Sequence, residues 1–173
     1  NIERNLYLTT QLLELGIPVI VALNMMDVIE ANGDKIDIGL LEKLLGVPVV
    51  PTSASQGKGV QELMERALSF VQTAASKPQL KPVAGSIFDT GIEKCLSEIE
   101  NLVKNQISDK YNPRWVAIKL LERDEKAAQK LNIPGNILDD IKRMQDRLEK
   151  EYEDYIETVI AGNRYDYITG IVS

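Results

Sequence analysis

The sequence predicts an α/β segment, built as a short parallel sheet with crossover helices, followed by an all-α segment. Three observations predict it. Short apolar strands alternate with amphipathic helices over residues 1–75, the order expected of a parallel sheet whose strands are joined through helices. The stretch "TAASKPQLKPVAG", residues 73–85, then breaks the periodicity with small residues and two prolines. From Ser86 onward the apolar residues recur only at helical spacing. The domain reading is therefore 1–75, a linker at 76–85 and a helical domain at 86–173.

The first segment opens with "NIERNLYLTTQLLELG", whose Ile2, Leu6, Thr9 and Leu13 fall near one helical face, widened by Leu8, Leu12 and Leu15. Gly16 reads as a C-terminal cap and Pro18 as the edge of the next strand. That strand is "PVIVALNMMD", residues 18–27, which ends in the polar pair Asn24 and Asp27. Asp37 can cap a helix over "IGLLEKLLG", with Leu40, Leu41, Leu44 and Leu45 inward and Gly46 ending it. "VPVVP" supplies a second strand. "TSASQGKG" then turns into a third helix carrying Val60, Leu63, Ala67, Phe70 and Val71. Two strands alone leave a broad apolar face and unpaired edges, so the expectation is that other chain covers them or that the sequence starts inside a domain.

In the second segment Ser86 and Asp89 have capping-box spacing ahead of a stripe of Phe88, Ile92, Cys95, Ile99, Leu102 and Ile107. Asn112 and Pro113 begin another helix at "NPRWVAIKLLE". Ile137, Ile141, Met144, Leu148, Tyr155 and Val159 line one long helix of about six turns, with a last short helix over Tyr165 to Ile171. The charged run "DRLEKEYEDYIE" reads as a solvated face.

Composition excludes several function classes. A hydrophobic content of 44% over 173 residues supports a sizeable core, and a net charge of −6 opposes a general nucleic-acid surface. There is no histidine, which removes imidazole metal sites and Ser-His or Cys-His catalysis. The single cysteine, Cys95, can form no internal disulfide and reads as core. No apolar run reaches the roughly 18 residues of a membrane span and no signal-like segment opens the chain, so the chain itself reads as cytosolic. No metal ligands and no catalytic residues are expected within it.

The candidate site lies at the strand ends, because ligands of parallel sheets sit beyond the carboxyl ends of the strands. Asp27 offers two acceptor oxygens at fixed spacing, and guanine presents an adjacent ring N–H and amine that one carboxylate can receive together. Adenine has no donor at the equivalent ring position. Asn24 can bind the base or brace a neighbouring loop, and the Ala54 amide can donate to the guanine carbonyl. Taken alone, Asn-x-x-Asp after a strand is more often a helix cap or turn than a base reader. Gly57 and Gly59 read as loop geometry.

"NMMD" resembles the guanine-specificity motif Asn-Lys-x-Asp of small GTP-binding domains, and "TSAS" resembles their later Ser-Ala loop. Met25 stands where lysine is usual and supplies a flexible thioether stem without charge. "ALNMMD" followed by "LGVPVVPTSASQGKG", with "PRWVAIKLLE" and "GNRYDYI" further on, resembles the cytosolic region of bacterial ferrous iron transport protein B over nearly the whole chain. The resemblance implies a partial P-loop GTPase-type sheet followed by a helical domain similar to guanine-nucleotide-dissociation inhibitors. It implies GTP or GDP as ligand of the parent protein, with Asn24, Met25, Asp27, Ser53, Ala54 and Ser55 at the base. Mg2+ is expected in the parent, its ligands outside this chain. The implied partners are the N-terminal half of the GTP-binding domain, a C-terminal transmembrane channel and a second copy of the chain. The implied location is the cytoplasmic face of the bacterial inner membrane.

No G-x-x-x-x-G-K-[ST] occurs, and the family's switch threonine and Asp-x-x-Gly segment are absent, so the chain alone is expected not to hydrolyse GTP. Two other readings stay open on the residues. One is a helical interaction module on an α/β scaffold without nucleotide binding. The other, a flavodoxin-like site, gives Asp27 and Ala54 no joint role.

Overall fold

A computed structural model describes residues 2–74 and 87–172. In chain order the elements are α1 (Ile2–Glu14), β1 (Val21–Leu23), α2 (Met26–Ala31), α3 (Ile38–Leu45), β2 (Val49–Pro51), a 3-10 turn (Ala54–Gln56), α4 (Val60–Ala74), α5 (Thr90–Val103), α6 (Pro113–Leu121), α7 (Glu125–Lys130), α8 (Gly135–Tyr152) and α9 (Ile156–Val172). They form two compact units, residues 17–85 and residues 1–16 with 86–173. The predicted linker at 76–85 and the Ser86 cap lie outside the described residues.

The α/β unit is held by a parallel pair, β1 with β2, in the register Val21↔Val49, Ala22↔Val50 and Leu23↔Pro51. Asp37 caps α3 by accepting from the Leu40 amide at 2.9 Å, and Gly46 ends it in the left-handed region. Leu41, Leu45, Val47, Val49 and Val50 form the buried face. Glu42 on α3 accepts from the Val49 amide at 2.8 Å and also pairs with Arg66 of α4, tying both helices to β2. Two expectations fail here. Leu40 is exposed, as are Val60 and Val71, so α3 and α4 bury narrower stripes than their apolar spacing suggests. Val60, Met64, Leu68 and Val71 instead share a solvent-facing row along α4. The short α2 had no sequence forecast, because "MDVIEA" is too brief to show a period.

The helical unit surrounds a core from Ile92, Cys95, Leu96 and Ile99 of α5, Val116 and Leu121 of α6, Ile141 and Leu148 of α8, and Ile156 and Ile160 of α9. Burial pushes the Cys95 thiol up to about 11, even with Arg147 nearby, so it is a neutral core group. Asp89 caps α5, accepting from the amides of Gly91 at 2.9 Å and Ile92 at 3.1 Å. Asn112 caps α6 as expected, accepting from the Arg114 amide at 2.8 Å with Pro113 in the first turn.

The predicted single helix through Val159 is in fact two. Glu153 turns left-handed after Tyr152, and Glu149 Oε1 accepts from the Ile156 amide at 3.0 Å, capping the start of α9. The same carboxylate receives Arg123 through two bonds of 2.7 and 3.0 Å, which joins the end of α6 to the break. Tyr155, assigned to the buried stripe, is exposed at this break. The predicted last helix at Tyr165–Ile171 is the second half of α9.

By contact α1 belongs to this helical unit, lying against α9. Its buried row is Leu6, Thr10 and Glu14, whereas Leu8 and Leu12 are exposed. The predicted face through Thr9 and Leu13 is rotated because polar residues take part in the contact. The Thr10 hydroxyl donates to Tyr7 O at 2.7 Å, so its methyl can be buried without leaving a hydroxyl unpaired. Among the described residues no helix is long and apolar enough to cross a membrane.

Candidate functional site

The parallel register decides what meets at the carboxyl edge. Leu23 pairs with Pro51, so Asn24 and Thr52 leave the sheet side by side. The Thr52 amide donates to Leu23 O at 2.8 Å, and Thr52 O accepts from the Met26 amide at 3.2 Å. "NMMD" and "TSAS" are thereby stitched together by backbone bonds.

Side chains complete the arrangement. Asn24 Oδ1 accepts from the Ala54 amide at 3.0 Å and from Thr52 Oγ1 at 3.4 Å. Two donors on one atom fix the orientation of the amide, so Asn24 braces the second loop through its oxygen and turns its NH2 away. The Asp27 amide donates to Ser53 Oγ at 3.0 Å. Ser53 and Thr52 are both buried, next to the exposed Ala54, Ser55 and Gln56. Asp27, half-buried at the first turn of α2, accepts on Oδ2 from Ser55 Oγ at 3.4 Å and Gln56 Nε2 at 3.3 Å.

Met25 is exposed and sits at φ 68°, in the left-handed region where a non-glycine residue costs about 1 kcal/mol. Its carbonyl accepts from the amides of Val28 and Ile29, so the strain is spent starting α2 one residue before Asp27. Beyond Gln56 the loop folds back: the Ser53 amide donates to Lys58 O at 3.1 Å and the Lys58 amide to Ser53 O at 3.2 Å. Gly59, at φ 76°, has no room for a side chain, since a Cβ there would lie 2.2 Å from Pro51 O. The two glycines of "QGKG" shape this loop.

Thus Asn24, Asp27, Ser53, Ala54 and Ser55 come together in one hydrogen-bonded group, and Met25 stands beside it. The Ala54 amide, expected to face a base carbonyl, points to Asn24 in this structure. Two members were missed from sequence, Thr52 and Gln56. Both lie within or next to the quoted "TSAS", so position alone could have flagged them.

The comparisons fall on the same residues. The family model for ferrous iron transport protein B matches residues 1–67, and that for the FeoB cytosolic helical domain matches residues 88–173. The Fe(2+) transport protein A/Fe(2+) transporter FeoB fusion protein of Porphyromonas gingivalis is 34% identical over 98% of this chain. The Fe(2+) transporter FeoB of Escherichia coli K12 is 40% identical over 72% of it. The matched regions are 21% and 15% of those relatives, so the chain spans about a fifth or less of their length. Crystal structures of S. thermophilus NFeoB bound to GDP·AlF4− and K+, and bound to mGMPPNP, superpose with TM-scores of 0.84 each at 34% identity. They match 99% and 98% of this chain, and 64% and 61% of theirs. The α/β unit is accordingly part of a P-loop GTPase-type domain, and with the helical unit after it the chain belongs to the ferrous iron transport protein B family, as part of its cytosolic region.

Proposed function

We propose that this chain supplies guanine-base recognition and a helical regulatory or coupling module to a GTP-binding ferrous iron transporter. The observation that carries the reading is the register of β1 and β2, which sets Asp27 against the Ser53–Gln56 loop, its amide on Ser53 Oγ and its carboxylate on Ser55 and Gln56, with the Ala54 amide turned to Asn24 in the same loop. An acceptor pair next to a carbonyl-seeking N–H is the donor and acceptor pattern that guanine complements and adenine does not. The nucleotide-bound forms of the S. thermophilus relatives agree with it. Asn24, Met25, Asp27, Ser53, Ala54 and Ser55 are assigned to the base.

The phosphate loop, the Mg2+ ligands and the residues that position water belong, on this reading, to chain preceding residue 1, and a membrane channel to chain following residue 173. The preceding residues would also cover the apolar row on α4. The helical module would face the cytoplasm beside the membrane and transmit or restrain the nucleotide state.

The test is nucleotide preference, measured on the protein with the preceding residues of its relatives restored. GDP should bind far more tightly than ADP, and Asp27→Ala should erase most of that preference. A wild-type protein that binds the two alike would overturn the reading. The 173-residue chain, supplied with magnesium and GTP, should release no phosphate above background, because base contacts cannot stabilise charge developing on the phosphoryl oxygens.

A further inference from the structure

Asp27 already has donors. Its Oδ2 accepts from Gln56 Nε2 at 3.3 Å and from Ser55 Oγ at 3.4 Å, which fills both lone pairs of that oxygen. A base that brings a ring N–H and an amine to the two carboxylate oxygens needs Oδ2 as well as Oδ1. It must displace at least one of these side chains. The Gln56 NH2 is the closer chemical counterpart of guanine's amine, a planar sp2 nitrogen that donates one N–H to the same acceptor.

Resting on the guanine reading of this site, we propose that Gln56 is an internal competitor for the base and so sets the affinity and exchange of guanine nucleotide. Its position favours the role. Gln56 ends the 3-10 turn that begins at Ala54, with Gly57 at φ 68° directly after it, so the turn brings its amide back over the loop toward Asp27. Gln56 is exposed, and once displaced its amide is solvated by water, which keeps the exchange close to balanced. Ala54, Ser55 and Gln56 share one short turn, and the Ser53–Lys58 bridge joins its two ends. The Ala54 amide, held by Asn24, must likewise let go to reach a base carbonyl. Base entry is thus a swap of internal bonds for bonds to the ligand.

The competitor role predicts a sign opposite to that of an ordinary binding residue. In the protein with its preceding residues restored, Gln56→Ala should tighten GDP by roughly three- to tenfold, the scale of one exposed charge-assisted hydrogen bond. ADP, which does not need Asp27 Oδ2, should bind as before. Weaker GDP binding by Gln56→Ala would mean that Gln56 contacts the ligand, and unchanged binding would mean that its bond to Asp27 has no consequence. Either result overturns the proposal. Asp27→Ala, run alongside, separates the two levels of inference. If it abolishes guanine preference while Gln56→Ala does nothing, only the competitor role fails; if it has no effect, the base reading fails and takes the competitor role with it. A second readout uses the 173-residue chain as it is. The Gln56 side-chain amide resonance should move on Asp27→Ala without nucleotide present, and a resonance that stays in place would show that no such bond forms.

Discussion

Arg164 on α9 grips Glu14 on α1 through two parallel hydrogen bonds, Nε to Oε1 at 2.8 Å and Nη2 to Oε2 at 2.9 Å, with both side chains almost fully buried. Its remaining terminal nitrogen pairs with Glu122 just beyond α6, and Glu122 is in turn held by Lys119 at 3.2 Å. Burial pushes the Glu14 carboxyl above its usual range even beside Arg164. The guanidinium also lies 5.8 Å from the Tyr7 ring and 5.7 Å from the Phe88 ring. Removing one partner of such a pair strands a buried charge, whereas removing both does not. Arg164→Met should therefore cost about 3 to 5 kcal/mol in denaturant unfolding. The double change Glu14→Leu with Arg164→Met should recover more than half of that, since Glu122 keeps Lys119. A single-variant loss below about 1 kcal/mol would show that the pair behaves like a surface ion pair.

The same contact sharpens what the helical segment can do alone. Residues 86–173 hold all of the helical core named above, so that piece should stay helical by circular dichroism. Without α1, however, Arg164 loses its bidentate partner and the surface facing Leu6 and Thr10 is uncovered. The piece should melt below the full chain, and a peptide of residues 1–16 added in excess should raise its melting temperature through binding to the folded form alone. A melt indifferent to the peptide would mean that α1 contributes little to the unit.

Acid should loosen the start of α5 in a defined window. Burial alone would raise the Asp89 pKa, but the Tyr152 hydroxyl at 2.6 Å and the amides of Ile92 and Gly91 outweigh it and hold the carboxylate below its ordinary value. A depressed folded pKa means that the contribution is fully present above the unfolded value, about 3.9, and is lost as pH falls through the folded one. Asp89→Ala should cost about 1 kcal/mol at pH 7, as expected for loss of an N-cap. That difference should shrink progressively as pH falls below about 3.9. Unfolding curves of both proteins over a series of falling pH values test this, and a difference that does not change along the series would assign the cost to packing rather than charge.

What could be read from sequence follows from where punctuation exists. Asp37, Gly46, Asn112 and Pro113 act through local backbone chemistry, so caps and turns built from them were legible. The "NMMD" and "TSAS" pairing was legible because both segments end strands, and parallel register brings such ends together. The break at Glu153 was not, for no glycine or proline marks it and the stripe from Leu148 to Val159 runs on at helical spacing. What makes the break is Glu149 reaching the Ile156 amide, a contact between side chain and backbone that periodicity cannot show. The placement of α1 was hidden for a related reason. Its buried row contains Thr10 and Glu14, which a hydrophobicity pattern assigns to water, and the arginine that makes Glu14 a buried residue stands 150 positions away. In the site, Gln56 escaped notice because its role depends on a turn that aims it at Asp27.

The identity of the base reader is open to a direct exchange of specificity. Xanthine carries a carbonyl where guanine carries its amine, so a side chain that donates is preferred where Asp27 can only accept. Asp27→Asn supplies that donor with almost no change in shape, and the Asp27 amide can still donate to Ser53 Oγ because that bond uses the backbone. In the protein with its preceding residues restored, the variant should lose guanine nucleotides by about 2 to 4 kcal/mol, or roughly 30- to 1000-fold in affinity, and admit XDP in part. GDP and GTP should weaken together, because the change touches the base and leaves the phosphates alone. Binding of GDP, GTP and XDP to both proteins in one magnesium buffer decides it. Should the variant keep the wild-type preference for GDP over XDP, Asp27 would not be reading the base, and its bonds to Ser55 and Gln56 would be no more than the bracing of a loop.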